Sequence, residues 1–264
     1  MKRLIENQSD HLISIITPLY NAEKYIAQTI SSVQKQTYPH WEMLIIDDRS
    51  QDKSLQIAET FAVKDPRIKI IKLAKNKGTA HARNIGAQEA QGNYIAFLDA
   101  DDLWHPDKME RQLDFMKQND CAVSFTSYLQ IDERGRSLKK RIVALPELSY
   151  NKQHHNNYVG NLTGMYNATV LGKIYSPDLR KRQDWALWLE AIKRSGNPAL
   201  GLNEDLAYYR VRKYSMSANK LNLIKYNFLF YRKHLKHSFA ASLYFLLRFF
   251  WEYFLARPKQ IEKL

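Results

Sequence analysis

The 264-residue sequence has a single cysteine, Cys121. That excludes an internal disulfide and fits a reducing compartment, with Cys121 read as a small core residue. The opening "MKRLIENQSD" has no apolar run ahead of its acid and amides, which argues against a secretory signal and makes the cytoplasm the expected location. No internal repeat or low-complexity tract is present. Acids are scarce: 27 Asp and Glu face 40 Lys and Arg, for a formal net charge of +13 and a pI near 9.6. Such an excess points to a polyanionic neighbour, whether nucleic acid, an anionic membrane surface or a phosphorylated substrate. The shortage is most severe from Leu206 to Leu264, where twelve bases accompany only Glu252 and Glu262.

What is present is an alternation. The stretches 12–17, 41–47, 67–73, 93–99 and 121–131 read as short, largely apolar strands. Between them, 22–36, 53–63, 79–90 and 106–118 carry helical patterns, the third opened by Gly78-Thr79 and the fourth by Pro106. Strand and helix in turn, with short connections, predict an α/β fold: a doubly wound, mostly parallel sheet with helices on both faces. Residues 137–160 show no periodicity and read as a mobile loop over a site, in which His154 and His155 are expected to be solvated. "RQDWALWLEAIKRSG" (182–196) reads as a helix with Gly196 as its C-cap.

Open parallel sheets bind ligands beyond the carboxyl ends of their strands. Three polar clusters fall at such ends: "PLYN" (18–21), "DDRS" (47–50) and "DADD" (99–102). The last is unexpected in a basic protein. Two carboxylates ~5 Å apart repel by roughly 3 kcal/mol at an effective dielectric of ~20, so a cation is expected to relieve them. Oxygen ligands without a nearby cysteine point to Mg²⁺ or Mn²⁺. Plainer roles exist: Asp102 as a cap for the helix at Pro106, Asp99 as the end of its strand.

In this order, "SIITPLYN", "MLIIDDRSQD", "NKGTAHARNIG", "YIAFLDADD" and "KRQDWALWLE" resemble family 2 of the glycosyltransferases, the inverting type with the GT-A fold. The first four cover residues 14–102 and the fifth extends the likeness to about residue 215. The resemblance implies a metal-dependent enzyme that moves a sugar from a nucleotide-diphosphate donor, expected to be a UDP-sugar, to a hydroxyl of a lipid-linked or cell-surface glycan. It implies nucleotide contacts from Pro18, Tyr20, Asn21, Asp48, Arg83 and Asp99, with Tyr20 against the base and Asp48 on the uracil N3–H. Asp99 and Asp101 are the implied ligands of Mn²⁺ or Mg²⁺. Asp184 is the implied general base, in a position where Gln183 replaces the family's usual Glu. Arg210, Ser215 and Trp185 are weaker candidates for diphosphate or acceptor contact. Each has an ordinary alternative: Tyr20 packed on a helix, Arg83 on the surface, Asp184 as a helix-end carboxylate, Trp185 and Trp188 in the core, and Arg210 and Ser215 in a connecting loop.

The resulting organisation is a GT-A domain over 1–220, with a nucleotide-binding half at 10–131 and an acceptor and catalytic half at 132–220, followed by an amphipathic helical segment at 221–264. "FAASLYFLLRFFWEYFLA" (239–256), preceded by Arg232, Lys233 and Lys236, reads as an interfacial helix on an anionic inner membrane face. The alternative cover for it is the domain itself or a second subunit. A catalytically inactive nucleotide-sugar-binding or membrane scaffold is the competing function. No nucleic-acid motif is present, so nucleic acid is not an expected partner.

Overall fold

The computed structural model describes residues 11–179, 181–212 and 220–264. The chain runs β1 (Ile13–Leu19), α1 (Ile26–Gln34), β2 (Trp41–Asp47), α2 (Ser54–Ala62), β3 (Ile68–Lys72), α3 (Thr79–Glu89), β4 (Tyr94–Phe97), β5 (Leu103–Trp104), α4 (Lys108–Gln118) and β6 (Val123–Ile131). It continues through β7 (Ser137–Ile142), β8 (Glu147–Leu148), α5 (Tyr150–His155), β9 (Met165–Asn167), α6 (Ala168–Leu171), α7 (Gln183–Ser195) and β10 (Ala199–Arg210). The C-terminal part holds α8 (Lys220–Leu229), α9 (Phe239–Trp251) and β11 (Ile261–Lys263).

One sheet organises the chain, in the order β11-β7-β6-β9-β4-β1-β2-β3. Its core β3-β2-β1-β4 is parallel, as the alternation predicts. β1 and β2 are apolar almost throughout because both faces of the sheet are covered. Ile13 and Ile15 face a cluster with Ile26, Ile30 and Val33 of α1 and Met109 and Leu113 of α4. Ile16, Leu44 and Ile46 face a second cluster with Ala82 of α3 and Leu187 and Trp188 of α7. The mostly parallel α/β sheet with helices on both sides and a helical C-terminal region is thus the observed architecture.

The second half departs from the expected outline. β9 inserts antiparallel between β4 and β6, and the twelve-residue β10 runs parallel to β6. Residues 137–160 are not an irregular loop. They form β7, β8 and α5, elements of six, two and six residues that are too short to show a period. His154 is accordingly buried, not solvated: its Nε2 lies 3.0 Å from His237 Nε2 and its ring 4.5 Å from that of Phe245.

The segment after residue 220 is stitched to the stretch from β7 to Tyr158. β11 pairs antiparallel with β7, Lys152 holds Glu252 at 2.8 Å, and the Tyr158 hydroxyl donates to Glu252 Oε2 at 2.5 Å. Helix α9 buries Ser242, Leu246 and Phe249. Phe239, Leu243, Leu247, Trp251 and Leu255 stand exposed at steps of four along the other side. The helical run Phe239–Gln260 is long and apolar enough to cross a membrane by length and composition, and little of it is buried in the protein.

Helix α7 is set by Trp188, whose ring lies edge-on to Phe97 of β4 at 5.9 Å. Gly164 makes this contact possible, since a Cβ there would fall 2.2 Å from Trp188 Cζ2. Gly164→Ala is expected to cost about 1–3 kcal/mol, as overpacking typically does, and a denaturant titration showing wild-type stability would disprove the contact. Burial, then His237 and His155, lower the His154 pKa from 6.5 to about 4. The folded state therefore favours the neutral ring: this contribution is complete above pH 6.5 and drains as pH falls toward 4, by at most about 3 kcal/mol. Thermal melts should decline more steeply across that window in wild type than in His154→Gln. Parallel curves would refute it.

Candidate active site

Because β4, β1 and β2 are sheet neighbours, their carboxyl ends bring the three polar clusters side by side. Hydrogen bonds tie the connecting loops together. Asp48 N–H donates to Leu19 O at 2.8 Å and Gln51 N–H to Asn21 Oδ1 at 2.8 Å, with Asn21 in the left-handed region at φ 48°. Asn21 is a strap between two strand ends. Pro18 lies within β1 opposite Ile46, and Tyr20 stands 48% exposed beyond it.

Asp48 is buried and accepts from the backbone N–H groups of Lys77 at 2.8 Å and Gly78 at 2.7 Å. It therefore fixes the turn that opens α3; each oxygen retains a second lone pair. Asp47 is buried too and caps the following turn, accepting from Ser50 N–H at 3.2 Å. Arg83 projects from α3 onto Asp99 Oδ1 at 2.6 Å, and its buried Nε has no hydrogen-bond partner. An unpaired buried donor costs about 1–3 kcal/mol. That leaves Arg83 suited to an incoming acceptor atom.

Within the protein itself, arginines and a backbone N–H already relieve the acids at 99–102. Arg83 pairs with Asp99, Arg212 Nε holds Asp101 Oδ2 at 2.8 Å, and Arg210 N–H donates to the buried Asp102 at 2.8 Å. Burial and then Asp99 push the Asp101 pKa up. Burial, followed by Asp101 and Asp99, pushes that of Asp102 well above the ordinary carboxyl range. Asp102 is thus an interior residue accepting from β10, and caps no helix. Asp99 and Asp101 each give one oxygen to an arginine and keep the other outside that ion pair. Among the described residues no three His, Cys, Asp or Glu side chains form a metal cage. Two carboxylates completed by substrate phosphates are, however, the usual donor set for Mg²⁺, and Asp99 with Asp101 fits that pattern.

Two weaker candidates are corrected by the packing. Arg210 is 2% exposed, and its guanidinium donates to Asp101 O, Asp132 O, Glu133 O and Gln28 Oε1. It braces the acid loop with four of its five guanidinium N–H donors. Trp185 is fully buried, stacked on Phe230 at 4.4 Å with its indole N–H on Gln153 O at 2.6 Å. It offers no surface to an acceptor. Trp188 is likewise core. Ser215 lies outside the described residues.

Asp184 sits in the first turn of α7, where the helix end favours a negative charge. Asn157 Nδ2 donates to its Oδ2 at 2.8 Å. It makes no direct hydrogen bond with the acid cluster; Trp188 sets its helix over β4, and Asn84 beside Arg83 exchanges two hydrogen bonds with Ser176. The segment from Asn157 to Leu162 spans the gap between them, since Trp104, two residues after Asp102, donates its indole N–H to Leu162 O at 2.8 Å. Within that segment Asn161 is buried with neither amide atom paired. Asn157, Asn161 and Arg212 were not legible as site residues. The asparagine-rich run 156–161 was the available signal.

Comparison with known proteins follows the same lines. The sequence profile described as Glycosyl transferase family 2 matches residues 14–176. The "Putative teichuronic acid biosynthesis glycosyltransferase TuaG" of Bacillus subtilis is 44% identical over 222 residues, 84% of this chain and 88% of the relative. The Escherichia coli "UDP-Glc:alpha-D-GlcNAc-diphosphoundecaprenol beta-1,3-glucosyltransferase WfgD" is 38% identical over 216 residues, covering 82% of this chain and 83% of that one. Among solved structures, S. aureus TarS 1-349 in complex with UDP-GlcNAc superposes with a TM-score of 0.71 at 23% identity, over 92% of this chain and 73% of that chain. The mannosyltransferase PcManGT of Pyrobaculum calidifontis, in complex with GDP-Man and Mn²⁺, gives 0.66 at 17% identity, over 94% and 71%.

Proposed function

The chain belongs to glycosyltransferase family 2 and is a glycosyltransferase of the GT-A fold. From that premise we propose that it is an inverting, metal-dependent enzyme that moves a sugar from a UDP-sugar to a hydroxyl of a lipid-linked surface glycan. The observation that carries the reading is the pairing of two separate acidic stations. One is Asp99 and Asp101 at the tip of β4; the other is Asp184, held by Asn157 on a helix laid over that strand. The UDP-glucose and diphosphoundecaprenol in the name of WfgD, and the UDP-GlcNAc bound to TarS, support the donor and acceptor classes.

Each residue then has a physical task. Tyr20 offers an exposed ring to the base, and Asp48 offers a lone pair to its N3–H. Pro18 and Asn21 shape the loop that carries Tyr20. Arg83 keeps a free Nε–H for a phosphate or ribose oxygen. Asp99 and Asp101 would hold Mn²⁺ or Mg²⁺, which supplies charge neutralisation for a departing diphosphate. Asn157 occupies one oxygen of Asp184 and orients the other to accept the proton of the attacking hydroxyl. The chain works at the inner membrane face, with the exposed stripe of α9 on the lipid and the exposed Arg232, Lys233 and Lys236 facing anionic headgroups.

Asp101→Ala and Asp184→Asn should each lower transfer at least about a thousandfold while leaving the melting temperature within a few degrees of wild type. Near-normal turnover by purified Asp184→Asn removes it from the role of base. UDP-sugars with Mn²⁺ should raise the melting temperature by mass action; a protein indifferent to every nucleotide sugar would sink the donor assignment.

A further inference from the structure

The C-terminal turns and the edge of the sheet enclose a cleft of about 350 Å³ that the transfer scheme leaves unused. Tyr128 and Ile142 line it from β6 and β7, Tyr253 and Phe254 from the turns after α9, and the cationic Lys140 and Arg257 complete it. The cleft adjoins the candidate active site at two points. Arg257 donates a hydrogen bond to Asn157 O, and the side chain of the same asparagine holds Asp184. Across the cleft, the Tyr128 ring packs edge-on against Tyr209 at 6.1 Å. Tyr209 precedes Arg210, the residue whose backbone N–H donates to Asp102, so the Tyr128 ring links the wall of the cleft to the acid loop.

Charge and polarity specify an occupant. The surrounding acids are engaged elsewhere: Glu252 by Lys152 and Tyr158, Asp205 and Glu262 by Arg141. Among the described residues no carboxylate pairs with Lys140 or Arg257, so two cations face the cleft uncompensated. Tyr253 and Phe254 belong both to its wall and to the exposed apolar surface that runs through Phe239, Leu243, Leu247, Trp251 and Leu255. An anion-binding pair thus opens onto an apolar track that leads away from it, with a proton acceptor on its inner side.

We propose that this cleft seats the lipid diphosphate of the acceptor. Lys140 and Arg257 hold the diphosphate, the attached sugar reaches past Asn157 to Asp184, and the hydrocarbon chain leaves over Tyr253 and Phe254 along α9 into the bilayer. The inference rests on the lipid-linked acceptor reading above and adds where that acceptor binds.

Titration calorimetry on the full chain in detergent, with the nucleotide site saturated by UDP, tests it with farnesyl diphosphate as the probe. Farnesyl diphosphate should bind, and farnesol and inorganic pyrophosphate should each bind at least about tenfold more weakly. Lys140→Ala and Phe254→Ser should each weaken binding about tenfold while leaving the UDP-induced thermal shift unchanged. Arg257 is kept intact because it also braces Asn157. The proposal is overturned by no binding, by wild-type affinity in Lys140→Ala, by pyrophosphate binding as tightly as the farnesyl compound, or by phosphatidylglycerol micelles competing as well as it does. Failure of the donor assignment reads differently, as a wild-type protein that UDP does not stabilise.

Discussion

Three carboxylates within four positions at the end of a buried strand form an electrostatic problem that much of the surrounding architecture answers. Arg83 comes from α3, Arg210 from the end of β10 and Arg212 from the residues just beyond it. Each carboxylate has its own partner, and the partners come from distant parts of the sequence. Arg210 reaches five places at once through its backbone N–H and guanidinium, so β10, α1 and the turn at 132–133 are all fastened to the acid loop. The site is therefore prearranged by protein charges, and a divalent cation would enter an acidic loop already held in shape.

The parallel half of the fold was readable because its determinants are local. β1, β2 and β4 are apolar runs with polar ends, and α1 and α4 have regular buried faces. The second half was much less readable. β9 has three residues, β8 two and α5 six, lengths at which neither a period of two nor one of 3.6 can be seen. β10 mixes charged and apolar positions because its partners change along its length, from β8 and β6 to β5. The candidate site residues divide in the same way by position in the fold. The positions of Asp48, Asp99 and Asp101 beyond strand ends could be read from the sequence, whereas only tertiary packing reveals that Trp185 and Arg210, the weaker candidates, are both interior.

The segment beyond residue 220 has two apolar faces that composition alone separates poorly. Its aromatic residues pack around the His154–His237 pair and Trp185, while its outward face carries an equally apolar set. A helix apolar on both sides yields little amphipathic contrast, so the inner contacts with α5 and α7 were not visible in the sequence. In space the segment is bound around the residue that holds Asp184: Lys152 of α5 and Tyr158, next to Asn157, grip Glu252, and Arg257 donates to Asn157 itself. The exposed apolar stripe of α9 and the positioning of the candidate base thereby share one set of anchors.

The pairing of β11 with β7 has a practical side. An outer strand left without a neighbour exposes a ladder of unmet amides and carbonyls and invites self-association. Cutting the chain before Phe239 to obtain a detergent-free sample would strip that cover and take away Glu262 from Arg141. Solubility is better sought by replacing the outward Leu243, Leu247 and Trp251 with polar residues, which leaves the border of the sheet sealed.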